Sequence, residues 1–297
     1  MNQASGDGPK PAIVCISSHV ARGAVGNRSA VFALESFGFP VWSVPTILLP
    51  FHPGHGRATR IEPDPEQFPG FLADLLNAKW TGEIGAVMTG YMANARQAGE
   101  IAGFIAALRL KNPGLVYLCD PVIGDHGGLY VPGETAGAIR DLLLPLADIA
   151  TPNRHELAWL AGTPPLQTAR ETIAAARRLG PARVVATSTV AFMRGNIANL
   201  LVEPDGAWMA EHRLVDGPAN GGGDMFSALF LANLLQGMSA PDALARATAA
   251  IYEAVARAAA RGSDELMPPA DRASLMRPAA RVELRNLAEP LRPDFTA

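Results

Sequence analysis

Short apolar runs alternate with longer helix-like segments along most of this chain. The runs are rich in Val and Ile, as buried strands are, and the longer segments repeat their apolar residues with helical spacing. Strands are predicted at residues 12–17, 40–46, 84–89, 115–119, 149–151 and 183–187, followed by a hairpin at 197–202 and 207–211. This alternation predicts the α/β fold class with a mostly parallel central sheet.

Helices are predicted at residues 28–37, 65–78, 95–111, 133–143, 154–161, 168–179, 224–235 and 241–261. Asn94 and Asn153 stand at N-cap positions, and Gly38 and Gly262 stand near C-terminal ends, which supports these boundaries. Pro69 is unfavourable inside the second predicted helix, because a proline in a helix interior removes a backbone hydrogen bond.

The composition supports one folded domain. The chain has 297 residues, of which 48% are hydrophobic and 18% charged, and no linker or repeat divides it. We expect a flexible N-terminus at residues 1–11, one domain at 12–261, and an extension at 262–297 whose structure the sequence leaves open.

Charge and hydropathy exclude several classes of partner. A net charge of −3 with scattered Arg residues argues against nucleic acid, and no run approaches the ~20 apolar residues of a membrane span. The first apolar run is too short for a signal peptide. Cys15 and Cys119 lie in buried-looking runs, as reduced core residues do, so we expect a cytoplasmic protein.

Polar groups follow every predicted parallel strand. Ligands of open α/β sheets collect beyond the carboxyl ends of the strands, so these exits are candidate site positions. The exits carry Ser18 and His19, His52 and His55, Gly90 and Tyr91, Asp120 and Asp125, Thr151 and Asn153, and Thr187 and Ser188.

The segment GPANGGGDMFSALFL, residues 217–231, carries the clearest chemical signal. Backbone amides of Gly222, Gly223 and Asp224 can converge on an anion at the positive end of the following helix. A carboxylate beside a phosphate suits proton removal from an attacking hydroxyl, so Asp224 is the candidate base of a phosphoryl transfer. The alternative is an ordinary loop-to-helix connection with an acidic cap.

Two further acidic segments have alternative readings. Asp120 and Asp125 can organise Mg²⁺ beside phosphates, or they can be solvated loop residues. In TPNRHE, Asn153 and Glu156 can form a capping box, or Glu156 can reach a Mg²⁺-bound water and Asn153 a phosphate oxygen. The histidines lack zinc-site spacing; His52 either meets a polar organic substrate or is a loop residue without a role.

Together these segments resemble the pyridoxal kinases of the ribokinase superfamily. The matching stretches are SSHVARGAVGNRSAVFALESFGF, MTGYM, LVYLCDPVIGDHGGLYVP, LADIATPNRHELAWLAG, VVATS and GGGDMFSALFLA. They occur in the family's order and span residues 13 to about 260. The resemblance implies a single-domain, three-layer α/β/α kinase that transfers phosphate from ATP to the 5′-hydroxymethyl of pyridoxal, pyridoxine and pyridoxamine.

The resemblance also implies roles for individual residues. Ser18, Ile47, His52 and Tyr91 would bind the vitamin. The groups around ATP and the cation would be Asp120, Asp125, Thr151, Asn153, Glu156, Thr187 and Ser188, with Asp120, Asp125, Thr151 and Glu156 near Mg²⁺. Asp224 would be the base and Gly221, Gly222 and Gly223 the anion hole. The family further implies a homodimer and a stimulating potassium ion. The loop at residues 47–60, which is rich in Pro and Gly, is the candidate lid over the site.

This chain departs from the family pattern in two places. Gly222 replaces the threonine of GTGD, which removes a hydrogen bond worth about 1.5–3 kcal/mol when made to a charged group. PFHP at residues 50–53 replaces SNHT, which predicts a stiffer lid. Two other functions stay open: a kinase of another hydroxymethyl heterocycle such as hydroxymethylpyrimidine, and a vitamer-binding protein with weak catalysis.

Overall fold

A sheet of nine strands forms the centre of the fold. The computed structural model describes residues 9–217 and 220–287, and the strand order is β11-β10-β9-β8-β7-β4-β3-β1-β2. The strands are β1 (Ala12–Val20), β2 (Val41–Leu49), β3 (Ile84–Thr89), β4 (Val116–Cys119), β7 (Ile149–Ala150), β8 (Arg183–Val190), β9 (Asn196–Glu203), β10 (Gly206–Arg213) and β11 (Glu283–Asn286). β5 (Gly124–Asp125) and β6 (Gly128–Leu129) form a separate small hairpin.

Strand pairing confirms the predicted mixture of parallel and antiparallel strands. β1 pairs in parallel with β2 and β3, and the parallel series continues through β4 and β7 to β8. From β8 to β11 each pairing is antiparallel, and the predicted late hairpin is β9 and β10. The carboxyl ends of the parallel strands therefore meet at one edge of the sheet.

Helices cover both faces of the sheet. They are α1 (Asn27–Ser36), α2 (Phe68–Asn77), α3 (Ala95–Lys111), α4 (Gly133–Ala138), α5 (Arg154–Leu160), α6 (Ala169–Ala176), α7 (Gly222–Leu235), α8 (Ala240–Ala260) and α9 (Pro268–Met276). Successive β1 residues face opposite layers: Ile13 and Cys15 pack with α1, α7, α8 and α9, whereas Val14 and Ile16 pack with α2 to α6. These layers establish the predicted α/β/α sandwich.

Several predicted boundaries were wrong; β1 and β8, for example, each run three residues past their predicted ends. The second helix begins at Phe68, not residue 65, and this places Pro69 in the first turn, where its missing N–H is harmless. β2 continues through Leu49, so the loop expected at residues 47–60 begins at Pro50. The helix expected at 133–143 is α4 followed by a π-helical turn, Ile139–Leu143.

The C-terminal extension contributes to the body of the fold. α9 packs against α1 and α8, and β11 adds an edge strand to β10. Residues 1–8 of the expected flexible N-terminus, and residues 288–297 of the extension, lie outside the described residues. Every helix within the described ranges is too short or too polar to traverse a bilayer.

Replacing Phe230 by Ala should test the core beneath α7. Phe230 is fully buried and stacks on Phe226, so we expect a loss of about 3–5 kcal/mol in the free energy of unfolding. Phe71→Ala is the matched control, because Phe71 is 47% exposed on α2, and its cost should stay within about 0.5 kcal/mol. Urea denaturation measures both; equal losses would contradict the assigned core.

Candidate active site

The exits of the parallel strands meet around one cavity of about 570 Å³. It brings together most residues singled out in the sequence: Ser18, His52, Tyr91, Asp120, Asp125, Thr151, Asn153, Glu156, Thr187, Ser188, Gly221, Gly223 and Asp224. A cavity of this size is typical of small-molecule sites. The expected convergence at this edge of the sheet is therefore present.

Two of the residues with predicted roles, Gly222 and Ile47, do not line the cavity, and neither do the strand-exit residues His19, His55 and Gly90. Gly222 is the first residue of α7. Ile47 is fully buried in a small cluster with Val25 and Leu49, because β2 extends further than the sequence suggested. Val25 and Leu49 contribute the apolar wall in its place.

Gly221 is required by a close approach of two loops. Its φ is +80°, and a Cβ atom at this position would collide with the carbonyl oxygen of Ala24. The Ser29 hydroxyl, in the first turn of α1, donates to the Gly221 carbonyl at 3.3 Å. The glycine loop therefore presses against residues 24–25 at the cavity wall, where the N-terminus of α7 begins.

Asp224 lies in the first turn of α7 and faces this cavity. Burial raises the pKa of Asp224 to about 6. Hydrogen bonds from the backbone N–H groups of Gly26 and of Asp224 itself lower this pKa, but by less than burial raises it. Most Asp224 side chains are therefore ionised at neutral pH and are stronger bases than a solvated carboxylate. Such a group can accept a proton from a substrate hydroxyl.

Asp120 is a buried carboxylate directly after β4. Ser227 donates to Asp120 Oδ2 at 3.0 Å, and the same hydroxyl lies 2.8 Å from Thr151 Oγ1. Burial, followed by repulsion from Asp224 and Glu156, raises the pKa of Asp120 well above its ordinary value. Sequence reasoning missed Ser227, although its position one helical turn after Asp224 was a usable signal.

Asn153 and Glu156 form the capping box that the sequence offered as one alternative. Asn153 Oδ1 accepts from the backbone N–H of Glu156 at 3.0 Å, and Glu156 Oε2 accepts from that of Asn153 at 2.7 Å. Glu156 Oε1 also accepts from Ile123 N at 3.0 Å. Burial nevertheless raises the pKa of Glu156 to about 8. Both residues keep a place on the cavity wall, so capping and ligand contact are compatible.

The acidic side of the cavity suits a hard cation. Thr151 and Asp120 offer oxygen donors, and Mg²⁺ is usually held by one or two carboxylates together with phosphate and water. Asp125 stands at the exposed rim on β5 and accepts from Gly127 N at 2.7 Å. Among the described residues, no three acidic, His or Cys side chains form a complete metal site by themselves.

Thr187 and Ser188 lie where β8 becomes irregular. Ser188 has φ +53° and is the one non-glycine residue with positive φ in the described part of the chain. It stands where the β8–β9 register shifts, and its N–H donates to Asn199 Oδ1 at 3.1 Å. Thr187 N donates to Pro152 O at 2.9 Å, which brings it beside the TPN segment. Strained backbone of this kind is common at ligand sites.

A second group of lining residues comes from the loops that follow β2 and β3. His52 Nδ1 accepts from Gly54 N at 3.1 Å, and burial lowers the pKa of His52, so its ring is neutral at pH 7. Arg60 donates to the Tyr91 hydroxyl at 2.9 Å. No motif marked Arg60 in the sequence. The other lining residues that sequence reasoning missed are Val25, Leu49, Pro53, Gly54, Val122, Tyr130 and Asn220.

Comparison with known proteins agrees with this arrangement. A sequence profile of the phosphomethylpyrimidine kinase family matches residues 68–268. A relative from Rubrobacter xylanophilus named pyridoxal kinase PdxY is 34% identical over 287 residues, which cover 93% of this chain and 97% of the relative. The chain belongs to the pyridoxal kinase family.

Other members support both the family and the fold. The pyridoxine/pyridoxal/pyridoxamine kinase of Bordetella bronchiseptica is 39% identical, over 86% of this chain and 92% of its own. Pyridoxal kinase from Leishmania donovani, solved with ADP and pyridoxamine, is 27% identical with a TM-score of 0.88, covering 94% of this chain and 100% of that one. The ribokinase-like fold expected from the sequence is confirmed.

Gly221→Ala should destabilise this pyridoxal kinase family member. The strained φ and the collision with Ala24 should cost at least about 2 kcal/mol in the free energy of unfolding. Gly223→Ala is the matched control: a Cβ there meets open space within α7, so stability should stay equal or rise by up to about 1 kcal/mol. Thermal and urea unfolding measure both. Equal effects of the two substitutions would refute the close approach.

Asp120→Asn should stabilise the metal-free protein at pH 8. A carboxylate whose pKa is raised in the folded state contributes its full stability below its unfolded pKa and loses that stability as pH rises. The gain in free energy of unfolding should therefore be larger at pH 8 than at pH 5. The control is Asp125→Asn at the exposed rim, which should change little at either pH. Urea denaturation in EDTA gives the comparison; a destabilised Asp120 variant at pH 8 would contradict the repulsion within the cluster.

Proposed function

We propose that this enzyme transfers the γ-phosphoryl group of ATP to the 5′-hydroxymethyl of pyridoxal, and also of pyridoxine and pyridoxamine. The observation that carries the proposal is Asp224, a carboxylate with raised pKa at the glycine loop and the N-terminus of α7. The choice of nucleotide and vitamin is supported by the names of the relatives above and by the ADP and pyridoxamine bound to the Leishmania donovani enzyme.

The proposed chemistry assigns one role to each part of the site. Asp224 accepts the proton of the substrate hydroxyl as its oxygen attacks phosphorus in line with the departing ADP. The amides of the glycine loop and the end of α7 stabilise the charge on the transferred group. Ser18, His52 and Tyr91 hold the vitamin ring, while Asn153, Thr187 and Ser188 contact ATP. The wall of Val25 and Leu49 keeps water from the reacting atoms.

Asp120 and Thr151, with Glu156 behind them and Asp125 at the rim, would hold Mg²⁺ together with the phosphates. The cation would neutralise charge on the phosphate oxygens and relieve the repulsion that raises the pKa of Asp120. The homodimer and the stimulating potassium ion that the family resemblance implies, and the cytoplasmic location expected from the sequence, stay predictions.

A hydroxymethylpyrimidine kinase is the second candidate function, because the family profile that matches residues 68–268 carries the name phosphomethylpyrimidine kinase. Both substrates present a hydroxymethyl group on a flat nitrogen heterocycle, so the same base and anion loop would serve either. The weakly catalytic binding protein is disfavoured because Asp120, Glu156 and Asp224 all lie on the cavity.

Asp224→Asn should abolish most vitamin phosphorylation, because the amide cannot accept the hydroxyl proton. We expect kcat to fall about 100-fold or more while pyridoxal binding persists. The control is Asp205→Asn, an exposed carboxylate in the β9–β10 turn, which should retain wild-type turnover. The assay follows ADP and the 5′-phosphate product with Mg-ATP, alongside isothermal titration of pyridoxal.

The same assay separates the three functions. Faster turnover of hydroxymethylpyrimidine than of the three B6 vitamers would replace the first proposal with the second. Tight pyridoxal binding without turnover by the wild-type protein would indicate the binding protein. An Asp224→Asn variant as active as wild type would exclude Asp224 as the base.

A further inference from the structure

A short segment between α8 and α9 reaches back to two loops that line the active-site cavity. On the basis of the function proposed above, we propose that Glu265 is a positioning residue that clasps the residue 21–26 loop to the lid turn Pro53–His55. It acts through those loops and does not itself line the cavity.

The first arm of this clasp fixes the residue 21–26 loop. Glu265 is a charged residue with only 4% of its surface exposed, and its Oε2 accepts from the Ala24 N–H at 2.9 Å. Gly23, at φ +110°, leaves the space that the carboxylate occupies, because a Cβ there would collide with both Glu265 oxygens. A buried carboxylate without such partners would be strongly unfavourable, so the contact is a built feature of the fold.

The second arm fixes the lid turn. His55 Nε2 lies 2.9 Å from Glu265 Oε1, and His55 ends the 3-10 turn Pro53–His55. The residues immediately before it, His52, Pro53 and Gly54, all line the cavity. One carboxylate therefore joins the lid turn to the residue 21–26 loop.

The clasped loop also supports the anion-binding glycines. The Ala24 carbonyl lies against Gly221, and Val25 forms part of the cavity wall. Because Glu265 holds the N–H of the same Ala24, a shift of the carboxylate would move the loop that backs the glycine loop. The clasp thus couples the lid to the phosphate side of the site.

The polypeptide around Glu265 is itself well anchored. Ser263 Oγ donates to the Glu265 carbonyl at 2.7 Å and accepts from its N–H at 3.3 Å, and Leu266 is buried in the core. The neighbouring ion pair between Asp264 and Arg22 is exposed on both sides, so it contributes little. Glu265 and Asp264 therefore offer a buried carboxylate and an exposed one, side by side, for a matched comparison.

Loss of the clasp should loosen substrate binding and admit water. We expect Glu265→Ala to raise the KM for pyridoxal about tenfold or more, as for a lost hydrogen bond to a charged group. Because water would then reach the phosphate, ADP should form in excess of the phosphorylated vitamin. The kcat for vitamin phosphorylation should stay within about threefold of wild type. A merely structural role would instead lower the melting temperature and the active fraction, and leave KM unchanged.

The experiment measures ADP, phosphorylated vitamin and melting temperature for four variants of the full chain. Glu265→Ala removes both arms, and Glu265→Gln keeps an acceptor for Ala24 and should fall between Ala and wild type. His55→Ala removes only the contact between Glu265 and the lid turn. This variant tests the clasp if Glu265→Ala does not fold. Asp264→Ala is the control and should match wild type.

A raised KM and excess ADP in Glu265→Ala and His55→Ala, but not in Asp264→Ala, would support the clasp. An unchanged KM, together with an unchanged ratio of ADP to phosphorylated vitamin, in His55→Ala and Glu265→Gln would overturn the clasp. If the wild-type protein does not phosphorylate pyridoxal, the proposed function fails separately, and pyridoxal dissociation constants for the same variants then test the clasp: weaker binding supports it and equal binding refutes it.

Discussion

The enclosure of three carboxylates at one edge of the sheet is the constraint on which the rest of the site depends. Asp120 and Glu156 are buried, and Asp224 joins them at the start of α7. Removing carboxylates from water and placing them together is unfavourable, and the pKa of each is raised accordingly. The fold holds them there through backbone N–H groups and the hydroxyl of Ser227. Binding of a cation, or of protons, would relieve this unfavourable charge.

The parallel sheet explains why this arrangement is attainable. Asp120 follows β4, Glu156 lies in the first turn of α5 and Asp224 in the first turn of α7, so no single loop has to carry the whole charge, and the sheet and helix layers fix the distances between them. The glycine loop depends in the same way on a long-range contact, because Gly221, with its positive φ, lies against the Ala24 carbonyl, where no side chain would fit. Phosphoryl transfer requires mainly this kind of rigid positioning, with little covalent chemistry from the protein.

Local patterns in the sequence predicted the parts of the site that depend on local rules. Strand exits, the glycine loop and the Asn153 cap follow from periodicity and capping, and all are present. The end of β2 was predicted too early, and Ile47 lies within the strand, because pairing with β1 sets that end and the local pattern does not show it. Glu265 could not be found, because its partners are more than 200 residues away in the chain and only the folded structure brings them together.

The most direct test of this account is the number of protons released when the metal-free protein binds Mg-ATP at pH 7. Titration calorimetry in two buffers of different ionisation enthalpy measures it. Asp120 and Glu156 have raised pKa values without a cation, so both are partly protonated in the metal-free protein. Binding of Mg-ATP should displace these protons, and we predict net proton release that is smaller in Asp120→Asn than in the wild type. Tight Mg-ATP binding with no proton release would contradict the claim that the enclosed carboxylates form the cation and phosphate side of the site.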